Sequence, residues 1–361
     1  MKHHSVLQKL VIALGLLLLV NLLYYCKWVR WFDCFRRDPA CRLRYCGASS
    51  SLSPPRSLHS SFPSILESSD ARPPSSPLTI VTAASVGHFC ELEAFLYNLS
   101  DILDQMPASQ QPRVVVYDLG LHPLQFNILR SMRNHGMVSE LVRFEFAKYP
   151  KFWSLSETPR GEYAWKAGIV HEVLEKARGT KVVWVDAGDK LSLEFLRWLP
   201  EHLTEHGFWS PRSSGTMQQW VHPGTLAYFG DSPHVYADYP NCNGAAVGFD
   251  TSNHTVVEDI IKPWLACSLV KECLAPKGSS RANHRQDQAV LTLLAVKAGF
   301  QCLGSPKKYG VQTHQDKFCI DHLKALKEQR KLLGTSTLSL PKWTRLEEQM
   351  RMKQRRTRQS L

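Results

Sequence analysis

The chain has 361 residues, of which 43% are hydrophobic and 21% charged, and this composition allows a sizeable core and excludes a wholly disordered protein. The formal net charge is +12, yet the stretch from 77 to 316 carries 22 Lys and Arg against 24 Asp and Glu. The positive excess therefore lies outside that stretch, and the composition gives no support for nucleic-acid binding.

The first apolar segment, residues 10–26, has a length near the lower limit for a membrane-spanning helix. We predict a signal anchor behind a cytoplasmic tail at 1–9; a cleaved signal peptide is disfavoured because no small-residue cleavage site follows. The flanking Lys and Arg favour the opposite orientation, whereas sequons at Asn98 and Asn253 and ten cysteines favour a luminal bulk. The sequence thus predicts a single-pass type II protein of the Golgi or ER membrane, with a luminal domain.

Residues 27–76 are predicted to be a disordered stem, because Ser and Pro dominate most of this segment and little in it could form a core. Cys34, Cys41 and Cys46 lie just before the densest part of the Ser/Pro run. They could pair locally or between chains, and the second alternative would give a disulfide-linked homodimer.

From 77 to 316 the chain alternates between strand-like and helix-like segments. Buried strands are predicted at 78–85, 113–118, 141–146 and 182–185. Helices are predicted at 91–104, 123–133 and 163–177. This alternation predicts an α/β domain with a mostly parallel, Rossmann-like sheet flanked by helices. Residues 317–361 are predicted to be a basic, solvated tail.

Two carboxylates follow the strand-like run Lys181-Val-Val-Trp-Val185, at Asp186 and Asp189 on an Ala-Gly turn. Open α/β sheets bind their ligands at the carboxyl ends of the strands, and paired carboxylates suit a hard divalent cation. The simpler interpretation is a strand end followed by a solvated turn.

The order of elements resembles the GT-A fold of nucleotide-sugar glycosyltransferases over 77–316. The resemblance implies that the first strand and the loop after it, with Thr82, Ala83 and Ser85, hold the nucleotide. It also implies that an Asp-x-Asp motif coordinates Mn²⁺ or Mg²⁺ on the donor diphosphate. Asp186 and Asp189 are one residue further apart than in that motif. Either Asp189 reaches the metal through a tighter turn, or Asp186 coordinates alone or through water.

Three further stretches support the resemblance. Tyr163-Ala-Trp-Lys166 resembles a Tyr-x-x-Lys or Trp-Lys-Pro stretch of related transferases, and Asn241-Cys-Asn243-Gly and His284-Arg-Gln-Asp287-Gln288 are similar to segments of glycogenin-like and galactinol-synthase-like enzymes. The resemblance implies that Lys166 pairs with the diphosphate and that Asn243 and Asp287 face the sugar and the acceptor. It also implies a metal-ligand role for His314. The simpler interpretations are a surface lysine, an ordinary turn, an acid favoured by a helix dipole and a structural histidine.

These features predict a luminal, metal-dependent glycosyltransferase that moves a sugar from a nucleotide-sugar donor to a glycan, glycoprotein or lipid hydroxyl. Both stereochemical routes stay open: an inverting route would need a base, for which Asp287 is the candidate, and a retaining route would need none. The alternative is a catalytically silent GT-A domain with a binding or scaffolding role. A hydrolase is disfavoured because no Gly-x-Ser-x-Gly elbow occurs. The domain cysteines show no zinc-site spacing, and Cys267 and Cys273 could close a short disulfide loop.

Overall fold

The computed structural model describes residues 78–156, 159–176 and 179–340, all of which belong to one compact unit, Asp70–Leu361. Its central sheet has six strands: β1 (Leu78–Ala84), β2 (Arg113–Asp118), β3 (Glu140–Arg143), β4 (Lys181–Val185), β6 (Phe208–Trp209) and β9 (Ala246–Asp250). They lie in the order β3-β2-β1-β4-β9-β6. Strands β3, β2, β1 and β4 are parallel neighbours, and β9 runs antiparallel to both β4 and β6. The sheet is therefore mostly parallel, as predicted.

Two small sheets lie beside the central one. One pairs β5 (Lys190–Leu191) with β10 (Val311–Gln312), and the other pairs β7 (Arg212–Thr216) with β8 (Pro240–Cys242). The β5–β10 pair matters for the site because it lays a late segment of the chain against the residues that directly follow β4.

Helices cover both faces of the sheet. They are α1 (Phe89–Leu103), α2 (Pro123–Asn134), α3 (Trp165–Lys176), α4 (Leu193–His206), α5 (Met217–Trp220), α6 (Pro223–Tyr228), α7 (Lys262–Ser268), α8 (Lys271–Leu274), α9 (Gln286–Lys297) and α10 (Cys319–Glu328). Strand β1 shows how the layers divide: Leu78 and Ile80 join the core formed with α1, α2, α4 and α10, whereas Val81 and Ala83 join the core formed with α3, α7 and α9. This alternation follows from the two-residue period of a strand, and it confirms the predicted α/β layering.

The third predicted strand is shorter than the sequence indicated. It ends at Arg143, because the chain then turns so that Phe144 enters an aromatic stack. The ring centroid of Phe144 lies 5.0 Å from that of Tyr149 and 6.4 Å from that of Trp153, and both pairs are stacked. The strand-like pattern at 141–146 thus reflects side-chain burial in this stack as well as strand pairing.

Three disulfides lie within the described residues: Cys90–Cys319, Cys242–Cys302 and the short loop Cys267–Cys273, which the sequence suggests. The first closes a sequence separation of 229 residues. Disulfides of this kind form in oxidising compartments. The stem cysteines lie outside the described residues.

Residues 317–340, which the sequence analysis assigned to a solvated tail, pack against α1. Leu323 and Leu326 of α10 are buried in the core that α1 shares. The backbone N–H of Thr337 donates to the carboxylate of Glu93, 2.9 Å away. Glu93 has no exposed surface, and this burial raises the pKa of its carboxyl group. The segment therefore contributes to the core of the described domain.

The predicted localisation is wrong as far as the structure tests it. Within 78–156, 159–176 and 179–340, each helix is too short or too polar to cross a bilayer. We had predicted a single-pass type II protein of the Golgi or ER membrane. The segments on which that prediction depended, the anchor at 10–26 and the stem at 27–76, lie outside the described residues.

Candidate functional site

Asp186 lies directly after β4, in the middle of the sheet, beside the end of β1. The parallel register pairs Val81 with Trp184, so that Ser85 and Asp186 follow two neighbouring strands at the same edge. We call this part of the sheet the carboxyl edge. The backbone N–H of Asp186 donates to the carbonyl of Ala245, 2.8 Å away, which brings the start of β9 to the same place. Open α/β sheets bind ligands at such an edge.

A buried lysine occupies the centre of this region. The Nζ atom of Lys166, on the first turn of α3, lies 3.0 Å from Oδ1 of Asp186 and 3.6 Å from Oδ2 of Asp287. It also donates to the carbonyl oxygen of Gly244 at 2.7 Å. Burial alone would lower the pKa of this lysine, but the two carboxylates outweigh that effect and raise it. Lys166 is therefore a fixed positive charge and not a surface lysine.

Asp287 joins this cluster from the first turn of α9. Burial raises its pKa to about 6, although Lys166 acts in the opposite direction. The neighbouring Gln288 accepts a hydrogen bond from the backbone N–H of Gly244 through its Oε1 atom, at 3.2 Å. The start of α9 thus holds the amide against the turn that precedes β9 and the carboxylate beside Lys166, so its acid does more than complement a helix dipole.

Asp186 and Asp189 face different environments. The side chain of Asp186 is 38% exposed, and its Oδ1 accepts a hydrogen bond from Nε1 of Trp184 at 2.7 Å. Asp189 is 2% exposed, and its Oδ1 accepts from the backbone N–H of His314 at 3.1 Å. Burial and the neighbouring Asp186 raise the pKa of Asp189 well above the usual range. The additional residue between the two acids therefore separates an outward carboxylate from an inward one.

The remaining predicted residues have more local contacts. The Oδ1 atom of Asn243 accepts from the backbone N–H of Ala245 at 2.9 Å, which fixes the turn before β9. Thr82 and Ala83 are buried inside β1, and within the described part of the chain the hydroxyl of Thr82 has no hydrogen-bond partner. Ser85 is half-buried and follows the strand, so that of these three it is the one placed at the carboxyl edge.

Among the described residues, the side chains that lie close enough together to ligate a metal differ from the predicted ones. His88, Glu91 and Asp316 each offer one ligand atom, and these atoms lie within 4.8 Å of one another. We call this set the cation cluster. His314 is exposed and has a positive φ of 61°. One imidazole and two carboxylates fit a divalent cation of the kind that the sequence predicted.

Sequence reasoning missed the cation cluster because its members come from opposite ends of the domain. One local signal was present: His88 and Glu91 are three residues apart at the start of α1, and this spacing places two side chains on one face. Nothing near Asp316 in the sequence connects it with them.

His284, three residues before Asp287, is buried as a neutral imidazole. Its Nδ1 accepts from the backbone N–H of His222 at 3.1 Å, and its Nε2 lies 2.8 Å from the carbonyl of Leu274, to which it donates. Burial is the main reason that its pKa is lowered from 6.5 to about 4. A histidine in this state stabilises the fold only while it remains unprotonated.

We expect His284 to destabilise the fold as the pH decreases from about 6.5 to about 4. In that window the unfolded chain binds a proton that the folded chain excludes, so the free energy of unfolding decreases on acidification, by about 3 kcal/mol for this residue. The measurement is urea unfolding of wild type and His284→Asn across pH 4–7. The wild-type stability should decrease relative to that of the variant at low pH; parallel curves would contradict the assignment.

No known protein family matches the sequence, and neither does any curated protein. Solved structures do match in part. The galactosyltransferase LgtC, in complex with donor and acceptor sugar analogues, is 13% identical, with a TM-score of 0.40 over 63% of this chain and 72% of its own. Mouse xyloside xylosyltransferase 1 is 12% identical, with a TM-score of 0.40 over 63% and 84%. The mannosyltransferase PcManGT from Pyrobaculum calidifontis, in complex with GDP-Man and Mn²⁺, is 16% identical, with a TM-score of 0.36 over 64% and 54%.

The sheet itself defines the class of fold. It is a mostly parallel α/β sheet with four parallel strands and an antiparallel fifth strand, and an acid follows the central strand β4. The candidate residues at its carboxyl edge are Lys166, Asp186 and Asp287, and the cation cluster is a second candidate group.

Proposed function

We propose that this chain is a glycosyltransferase that moves a sugar from a nucleotide-sugar donor to a hydroxyl acceptor. The observation that carries the proposal is the buried Lys166, held between Asp186 and Asp287 at the carboxyl edge. Buried ionic clusters are costly, and a cluster at the ligand-binding edge of an α/β sheet is a candidate functional site.

The charges support a division of the site into two sides. Asp186 is partly exposed at the end of β4, and we propose that it faces the donor diphosphate. Lys166 provides a fixed positive charge beside it, which favours the negative charge that develops on the leaving nucleoside diphosphate. A divalent cation bound at this edge would supply further positive charge to the same group.

Asp287 and Gln288 define the other side, toward the transferred sugar and its acceptor. With a pKa of about 6, Asp287 is mainly ionised at neutral pH and is able to accept a proton from an acceptor hydroxyl. That step would belong to an inverting route. In a retaining route the same carboxylate would instead position the sugar, and the anomeric configuration of the product decides between them.

We assign Asn243 and Asp189 to positioning. Asn243 fixes the turn that carries Gly244, whose carbonyl accepts from Lys166. Asp189 binds the backbone of the segment around His314 and so fixes that late part of the chain below the carboxyl edge.

The first experiment is a thermal-shift screen of the purified chain with nucleoside diphosphates, in the presence and absence of Mn²⁺. A ligand at a hundredfold excess over its Kd stabilises a protein by about 2.7 kcal/mol. We therefore expect an increase in Tm of several degrees for one nucleoside diphosphate. The increase should be smaller for the corresponding monophosphate, which lacks the second phosphate group. Equal responses to all nucleotides would contradict the proposal, and specific binding without any turnover would favour the catalytically silent domain.

A further inference from the structure

The cation cluster combines residues from the two ends of the domain at one position. His88 and Glu91 lie at the start of α1, directly after β1. Asp316 lies on the segment between β10 and α10. Their ligand atoms lie within 4.8 Å of one another, which is close enough for one ion to contact all three.

The position of Asp316 relates this cluster to the acids after β4. In an Asp-x-Asp spacing starting at Asp186, the second carboxylate would stand at position 188, where this chain has glycine. A Cβ atom added to Gly188 would overlap Oδ1 of Asp316. The carboxylate of Asp316 therefore fills the space that a side chain at position 188 would occupy. Gly188 leaves room for the carboxylate of Asp316 because glycine has no side chain.

Backbone pairing fixes this approach. Strand β10 pairs antiparallel with β5, and Gln312 lies opposite Lys190. The backbone N–H of Gln315 then donates to the carbonyl of Gly188 at 2.6 Å. Because Asp316 is the next residue, these main-chain hydrogen bonds hold its side chain beside the turn after β4.

A disulfide brackets the same cluster. Cys90 lies between His88 and Glu91 in the sequence, and it is bonded to Cys319, three residues after Asp316. Ligands that must come together from distant parts of a chain lose conformational entropy on binding, and a covalent link removes part of that cost beforehand. The disulfide therefore holds the two ligand-bearing segments together before an ion binds.

An independent observation points to a cation here. Asp189 is 2% exposed, and its buried Oδ2 atom has no hydrogen-bond partner among the residues that the structure describes. Asp189 lines the same crevice as Glu91 and Gly188. An unpaired buried carboxylate oxygen is costly, and a nearby positive ion would offset that cost.

We propose that His88, Glu91 and Asp316 form the anchoring site of a divalent cation, with the carboxylate of Asp316 in the space that a side chain at position 188 would occupy. The imidazole ligand favours Mn²⁺ over Mg²⁺, because Mg²⁺ is bound through oxygen and keeps much of its water. The use of this ion in sugar transfer rests on the proposed function. The site itself does not, and Mn²⁺ binding without any nucleotide tests it separately.

The experiment is isothermal titration calorimetry of Mn²⁺ into the purified, disulfide-intact chain without nucleotide. The wild type should bind one ion, more tightly than it binds Mg²⁺. Asp316→Asn and Glu91→Gln should each weaken Mn²⁺ binding at least about tenfold, because even residues that only orient metal ligands cost that much. Asp321→Asn is the matched control, since this exposed acid of α10 pairs with Lys324; its affinity for Mn²⁺ should equal that of the wild type.

A second variant removes no ligating atom. Gly188→Ala should displace the carboxylate of Asp316 and weaken Mn²⁺ binding, and it should add little further loss in an Asp316→Asn background. The Tm of each variant in EDTA shows whether it folds.

Asp186→Asn tests whether the ion is bound by the cation cluster or by the acids of the sequence motif. We expect this variant to bind Mn²⁺, in the absence of nucleotide, as tightly as wild type. The site is overturned if wild type binds no Mn²⁺, if Asp316→Asn binds like wild type, or if Asp186→Asn alone loses the ion. Each of these results leaves the nucleotide screen, and therefore the proposed function, to be judged separately.

Discussion

Asp186→Asn is expected to lower sugar transfer by about 10²–10³-fold, because it releases Lys166, the positive charge placed beside the leaving diphosphate, and losing one such electrostatic group costs about that much. The substitution keeps the volume of the side chain and still accepts the hydrogen bond from Nε1 of Trp184. It removes the negative charge that holds Nζ of Lys166 at 3.0 Å. The measurement is initial rate at saturating donor and Mn²⁺, beside the Tm of both proteins.

Asp189→Asn is the matched control for this variant. Its carboxylate is turned inward, and the asparagine oxygen can still accept the N–H of His314. We therefore expect a milder loss of turnover than for Asp186→Asn. Equal, near-total losses would show that both acids act on the donor, and a wild-type rate for Asp186→Asn would mean that the acidic turn has no role in transfer.

Lys166→Met is expected to have the largest effect on stability. Methionine fills most of the volume but leaves Asp287, with a side chain that is 6% exposed, without a positive partner. Breaking a buried ion pair from one side costs about 3–5 kcal/mol. Urea unfolding at pH 7.5 measures this loss, and turnover should be lost as well because the positive charge beside the leaving group is gone.

The Lys166→Met effect has an internal test. Asp287→Asn neutralises the stranded acid, so the double variant should be more stable than Lys166→Met alone. Pairs that interact show coupling of about 0.5–3 kcal/mol in such a cycle. If the two single effects simply add, then Lys166 and Asp287 are not energetically coupled and the cluster is not the unit that we describe.

Much of the fold could be predicted from the sequence because its signals are local. A parallel strand covered on both faces is a continuous apolar run, and β1 and β4 are runs of this kind. The predicted boundaries of β2, 113–118, agree with those observed. The end of β3 was less predictable, because Phe144 is buried by rings at Tyr149 and Trp153, which follow it in the chain.

The site was only partly predictable, for a physical reason. Lys166, Asp186 and Asp287 could be proposed because each lies at the end of a recognisable element, and the structure brings all three together. Which of Asp186 and Asp189 faces outward depends on the path of the turn, which spacing alone does not determine. The approach of Asp316 to Gly188 depends on β5–β10 pairing and lies beyond any local pattern.

The most direct test of the central claim is a donor panel. The purified chain is incubated with individual nucleotide sugars and Mn²⁺, and release of the nucleoside diphosphate is followed with and without a mixture of glycan acceptors. The account predicts release from one donor, stimulated by acceptor and strongly reduced in Asp186→Asn. Absence of release from every donor, by a folded chain that binds nucleoside diphosphate, would contradict it.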